Sequence, residues 1–272
     1  MNPVLLIAKV TFKELIREKI LHGLLVVFFF ISIFSLILGS LSFAEQVKMS
    51  LDFGLAVMQL SIVGISILLG AQLIQKEIER KTVFTLLVRP LHRYQYLLGK
   101  FFGLWALILF MIFLCCLFLS MCMLYFGGSY FKDVFTVGLG LWLEAGFLIS
   151  IVMLLTQKVQ VSVGIFGGIG IFLVGHWFET LKFLTQKNPS IVLESVYQGL
   201  SLVLPNLENW NWKSLVVYQQ DIGIYQMALS SAEGLLWMIA YLFLAALIFE
   251  KRDLIFWFFF KNQITCIPIK HT

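Results

Sequence analysis

The chain has 272 residues, of which 60% are hydrophobic and only 13% charged, against about 45–50% apolar and about 25% charged in an ordinary soluble domain. That balance excludes a soluble enzyme, and 27 phenylalanines beside five prolines exclude a disordered chain, so lipid is the solvent the composition fits. The excess of 20 Lys and Arg over 15 Asp and Glu is read by position, because in a membrane protein the side on which basic residues lie matters more than their sum.

In residues 1–19, Leu5, Ala8, Phe12, Leu15 and Ile16 recur at spacings of three and four, and Lys9, Lys13 and Arg17 form a basic stripe at steps of four. The pattern predicts an N-terminal amphipathic interfacial helix with its apolar face among headgroups and its basic stripe against anionic membrane lipids. Six runs follow that can cross a hydrocarbon core of about 30 Å, which takes about 20 residues at 1.5 Å each. They cover about residues 20–43, 53–74, 101–126, 134–156, 161–178 and 227–249. Continuous apolar runs, without ten-residue alternation, make them helices and not barrel strands. The first run is too long for a secretory signal core and no small-residue cleavage site follows it, so it is expected in the mature protein. The predicted fold is an all-α polytopic membrane protein, one transmembrane domain over residues 1–272.

Six crossings put both termini on one side. The connections on that side hold 15 of the 20 Lys and Arg, and the opposite side holds only Lys48, Lys132, Lys182, Lys187 and Lys213. By the positive-inside rule both termini and the 75–100 loop are cytoplasmic, and a bacterial inner membrane is the expected location. The basic excess is then accounted for without any nucleic acid.

Within residues 75–100, Glu77 and Lys81 continue the second run as a helix, Thr82 can cap a short helix carrying Val83, Leu86 and Leu87, and Pro90 forces a break. A second short helix passes through Tyr94 and Leu97 to Gly99, where the chain can turn into the third run. A charged rim around an apolar patch suits docking of a soluble partner; a solvated loop lying on the bilayer fits the same residues. On the outer side, residues 179–226 are expected to form a lid on the outer leaflet. Its segment 191–204, about 14 residues including Glu194, is too short to cross, and Trp210, Trp212, Tyr218 and Tyr225 suit a membrane-interface belt.

The chain has no P-loop: Gly99-Lys100 is its only Gly-Lys pair, Tyr94 stands at the first motif glycine and Phe101 where Ser or Thr would hold magnesium. His22, His92, His176 and His271 fall on different segments, so no metal, cofactor or catalytic constellation is expected. Cys115, Cys116, Cys122 and Cys266 lack ligand or disulfide spacing and read as packing thiols. Gly164-x-x-x-Gly168, with Gly170 and Gly175, is a helix-packing signature. The intramembrane polar candidates are Glu144 and His176. Glu144 lies about 15 Å below the outer surface, a depth at which a carboxyl group needs a partner or a water-filled cavity. It is either a polar point of a translocation path or gate, or a structural acid bonded to Ser or Thr on a neighbouring helix. His176 lies about 3 Å from the outer end of the fifth run; the vertical gap of roughly 12 Å argues against a direct pair.

The amphipathic N-terminal helix, the Glu77-x-Glu79-Arg80-Lys81-Thr82 stretch, the Arg89-Pro90 break and the Leu97-Leu98-Gly99-Lys100 lead into the third run together resemble the ABC-2 type permease family. So do Gly175-His176, Leu204-Pro205-Asn206-Leu207-Glu208 and the closing Phe249-Glu250-Lys251-Arg252-Asp253. These are membrane subunits of ATP-binding cassette exporters, and the resemblance covers most of the chain. It implies a six-helix half-transporter that works as a dimer with two separate ATPase subunits. The 75–100 loop would be the cytoplasmic coupling helix between the second and third spans, with Glu77, Glu79, Arg80, Thr82, Arg89 and Arg93 as docking residues. The alternative, a self-contained secondary transporter or channel, calls for inverted repeats and several intramembrane ionisable groups; the chain has one central acid, no clear repeat and no intramembrane proline.

Overall fold

The computed structural model describes residues 3–40, 46–79, 93–125, 130–187, 191–217 and 223–251. Among the described residues all regular structure is helical. The elements are α1 (Pro3–Leu15), α2 (Lys19–Ser40), α3 (Gln46–Glu79), α4 (Arg93–Tyr125), α5 (Phe131–Thr156), α6 (Val161–His176), α7 (Phe178–Lys187), α8 (Ile191–Val203), a 3-10 turn (Leu207–Trp210), α9 (Lys213–Val217) and α10 (Ile224–Lys251). Among the described residues four helices are each long and apolar enough to cross a membrane. Two bent pairs, α1 with α2 at 62° and α6 with α7 at 47°, raise the number to six if each pair is one crossing. The all-α polytopic expectation stands.

One turn expected from the sequence is not formed. The helix expected to turn at Gly99 continues as one 33-residue α4. Gly99 serves packing instead: a Cβ there would lie 2.7 Å from that of Ile7, and one at Gly103 would lie 2.7 Å from the Thr11 Cβ and 2.8 Å from the Ala8 carbonyl oxygen. Two glycines cost a helix about 1 kcal/mol each, which the close approach of α1 offsets. The apolar stripe of α1 is therefore divided. Leu15 is buried and Ala8, Phe12 and Ile16 are half-buried, while Leu5 remains 66% exposed. Leu15 thus faces protein and not headgroups. Lys100 Nζ meets Glu14 Oε2 at 3.5 Å and ties the same two helices. Gly103→Val is expected to detach α1 at a cost of about 1–3 kcal/mol, read as faster thiol labelling of a cysteine introduced at Thr11.

α5 is the centre of the bundle, buried over most of its length and packed by α3, α4, α6 and α10. Small residues set the spacing. A Cβ at Gly168 would lie 2.7 Å from Val152 Cγ2, one at Gly138 2.9 Å from Cys116 Sγ, and one at Gly164 would overlap the Thr156 methyl, so the Gly164/Gly168 pair packs as predicted. Cys115 and Cys116 are buried among apolar side chains. Cys266 lies outside the described residues. Between α4 and α5, Trp105 and Trp142 stack at 4.0 Å and 3°. Each indole N–H donates to the other residue's carbonyl oxygen, at 3.1 and 3.3 Å.

The lid expectation needs correction in one part. α7 and α8 are largely exposed, but Leu204, Leu207, Trp210 and Trp212 are buried inside the protein. Trp210 is fully enclosed, its Nε1 donating to the Ser230 carbonyl at 2.9 Å, with the Phe147 ring 5.7 Å away. Neither tryptophan is part of an interface belt. The segment drops into the bundle because Gly140 and Gly175 leave room: a Cβ at either would collide with the Trp210 carbonyl or the Leu207 side chain. Tyr225 is 80% exposed; Tyr218 is outside the described residues.

Candidate functional site

Beneath that inserted segment, four polar side chains from four elements meet: Gln59 of α3, Glu144 of α5, His176 at the end of α6 and Glu208 of the 3-10 turn. Glu144 is fully buried. Its Oε2 accepts from Gln59 Nε2 at 3.4 Å, and its Oε1, which has no hydrogen bond, faces His176 Nε2 at 3.7 Å. Gln59 Nε2 also lies 3.2 Å from His176 Nε2. His176 Nδ1 is 3.1 Å from the Phe172 carbonyl, an acceptor, so Nδ1 carries a proton and donates to it. In the neutral ring Nε2 then accepts from the Gln59 amide, which bridges imidazole and carboxylate. Glu208 Oε2 lies 4.0 Å from the same ring nitrogen.

Glu208 is held from both sides. Its backbone N–H donates to the Asn206 carboxamide oxygen at 3.1 Å, and its Oε1 accepts from Asn211 Nδ2 at 3.1 Å. It lines a pocket of about 380 Å³ with Glu179, Asn209, Asn211 and Glu233 among its walls. A chain of polar atoms therefore runs from this pocket through Glu208 and His176 to the buried carboxyl group. Nearby, toward the start of α3, Lys213 Nζ pairs with Asp52 Oδ1 at 3.1 Å.

The expectation that Glu144 and His176 do not pair directly is overturned. It measured depth from the outer ends of two spans taken as level. Counted from the shared inner turn, Glu144 stands 12 residues above Thr156 and His176 15 residues above Val161, about 18 and 22 Å. The outer end of α5 extends well past the bend that ends α6. The partners are also Gln59 and His176, not a neighbouring Ser or Thr. Sequence reasoning missed Gln59 and gave Glu208 no role; an amide inside an apolar run was the available signal for the first. Glu208 has no signal of its own, since only the insertion of its segment brings it to His176.

Of the docking candidates, Glu77 and Glu79 fall in the last turn of α3 and Arg93 opens α4. Arg80, Thr82 and Arg89 lie outside the described residues. Among the described residues no group of three or more His, Cys, Asp or Glu side chains is placed to hold a metal ion.

Compared with known protein families, residues 5–254 match the one described as ABC-2 family transporter protein. Comparison with curated proteins finds no match.

Proposed function

The chain belongs to the ABC-2 family of transporter proteins, and on that premise we propose that it is the permease subunit of an ABC exporter in a bacterial inner membrane. Two copies, each with both termini in the cytoplasm, dock two separate ATPase subunits on residues 75–100. The chain itself hydrolyses no ATP. The observation that carries the mechanism is α3, one uninterrupted helix of 34 residues and so about 50 Å long. Its inner end leads into the docking segment. Its outer half carries Asp52, paired with Lys213, and Gln59, bonded to Glu144 and His176. A tilt imposed on the inner end by ATP binding is therefore delivered to the polar cluster and to the outer segment at once. Movement of Glu208 away from His176 would open the buried cluster to the pocket that Glu208 lines, giving cargo or ions an outward polar route.

Coexpression with a Walker-motif ATPase, sought in the adjacent reading frames, tests this reading. The expected product is a complex with two copies of each chain, seen by native mass spectrometry. Joint charge reversal at Glu79, Arg80 and Arg89 should abolish copurification, several charge contacts each being worth under about 1 kcal/mol on a rim and a few kcal/mol where desolvated. Retained copurification with full ATPase coupling in that triple variant rejects the docking assignment. Photo-crosslinking of ATP to the isolated chain rejects the division of labour.

A further inference from the structure

Near the start of α4, Lys100 is only 5% exposed, a burial that an ammonium group tolerates where other groups replace its water. Its Nζ lies 3.5 Å from Oε2 of Glu14, on α1. The same nitrogen stands 5.9 Å from the centroid of the Tyr96 ring, one turn earlier in α4, within reach of a cation–π contact. Lys100 also walls a small pocket of about 20 Å³ with Thr11, Glu14 and Glu18 from the N-terminal segment and Gln72 from α3, room for one water molecule. Tyr96, itself buried, stacks on Phe249 of α10 at 6.2 Å and 18°. One side chain thus stands where α1, α3, α4 and α10 converge.

Gln72 and Lys100 bracket the 75–100 segment, the first just before it and the second closing it, so both of its ends meet at one polar pocket. α1 packs chiefly on α4, over Gly99 and Gly103, where an added Cβ would lie 2.7 Å from Ile7 or Thr11. A glycine face permits close approach and offers no side chain to interlock, so the register of the two helices there depends on directed contacts. We propose that Lys100 is a positioning residue of the transport cycle: with Glu14 it sets the register of α1 on α4, so that a displacement of the 75–100 segment is passed to α1 through the pair. Holding the helices together does not call for charge, since a buried ion pair contributes little net stability over an apolar one. What the pair adds is direction. The positioning role rests on the docking proposed above for residues 75–100; the contact itself is a property of the chain alone.

Two measurements on the full-length protein test this. In the chain alone, in detergent, thiol labelling of Thr11→Cys should be slow, and Glu14→Gln or Lys100→Met should speed it about fivefold, the shift that one partly exposed ion pair gives to an opening equilibrium. In the complex with the ATPase, the same two changes, made without Thr11→Cys, should lower the ATPase turnover stimulated by the membrane subunit about fivefold on the same grounds, with the KM for ATP unchanged. Lys100→Arg, which keeps the charge and has the adjoining pocket for its extra bulk, should restore both. Glu14→Gln with Lys100→Met should lose no more than Lys100→Met alone, because both remove one contact. Unchanged labelling in the single variants overturns the contact, as do losses that add in the double variant. Faster labelling with full stimulated turnover overturns the positioning role, as does failure of Lys100→Arg to restore turnover. The Glu14 side chain is 47% exposed, so Glu14→Gln decides the matter even if Lys100→Met does not fold. If no ATPase joins the unmodified chain, the docking reading fails and the positioning role falls with it, while the labelling rates still decide the contact.

Discussion

Glu144→Gln is expected to fold, to assemble with the ATPase and to lose at least tenfold in the ATPase rate of the reconstituted complex that is stimulated by coupling to the membrane subunit. The substituted carboxamide keeps an oxygen where Glu144 Oε2 accepts from Gln59 at 3.4 Å, so melting in detergent should stay within about 1 kcal/mol of the unmodified chain. What disappears is the acidic group that faces His176 at 3.7 Å, and with it a proton-exchanging partner for the imidazole. Glu144→Leu separates folding from function: it leaves the Gln59 amide without its acceptor in a buried site, at a cost of about 1–3 kcal/mol. Full coupling in Glu144→Gln would show that the carboxyl group serves only as a hydrogen-bond acceptor.

The second large effect is expected at Gly140. A Cβ there collides with the Trp210 carbonyl oxygen, which is backbone and cannot rotate away, so Gly140→Val must lift the 3-10 turn out of the bundle. The loss approximates that of removing Trp210, fully buried and bonded to Ser230, at about 3–5 kcal/mol. Protease cleavage within 204–217 should become fast, and Glu208 should leave His176. Adding Trp210→Ala should cost far less than a second full increment, since both changes release the same unit. Gly170→Ala is the internal control. Nothing lies within 4 Å of the added methyl, and stability should hold or rise by up to about 1 kcal/mol.

The long apolar runs were legible in the sequence because a span is a property of composition over about 20 residues, which needs no tertiary information. Glycine roles were only half legible. Gly164 and Gly168 sit at a spacing that names a packing face, whereas Gly99 looks like a helix end until α1 is seen lying against it. The two tryptophans of the outer segment misled for a related reason: an indole suits an interface belt and a protein core equally, and the choice is made by Gly140 and Gly175, far away in the chain. The polar cluster required depth, and depth counted from an assumed flat outer surface failed where one helix outreaches its neighbour. Glu144 was visible as a costly buried acid; its partners were not, since Gln59, His176 and Glu208 come from segments separated by 85, 32 and 64 residues.

Trp105 and Trp142 limit where the transporter can deform. Sliding α4 past α5 along their axes would break both indole hydrogen bonds together and unstack two rings now 4.0 Å apart. The two helices therefore behave as a single strut. Shear during a transport cycle is left to the seams where this strut meets α1, α3, α6 and α10, and the seam with α3 is the one crossed by the Gln59 amide.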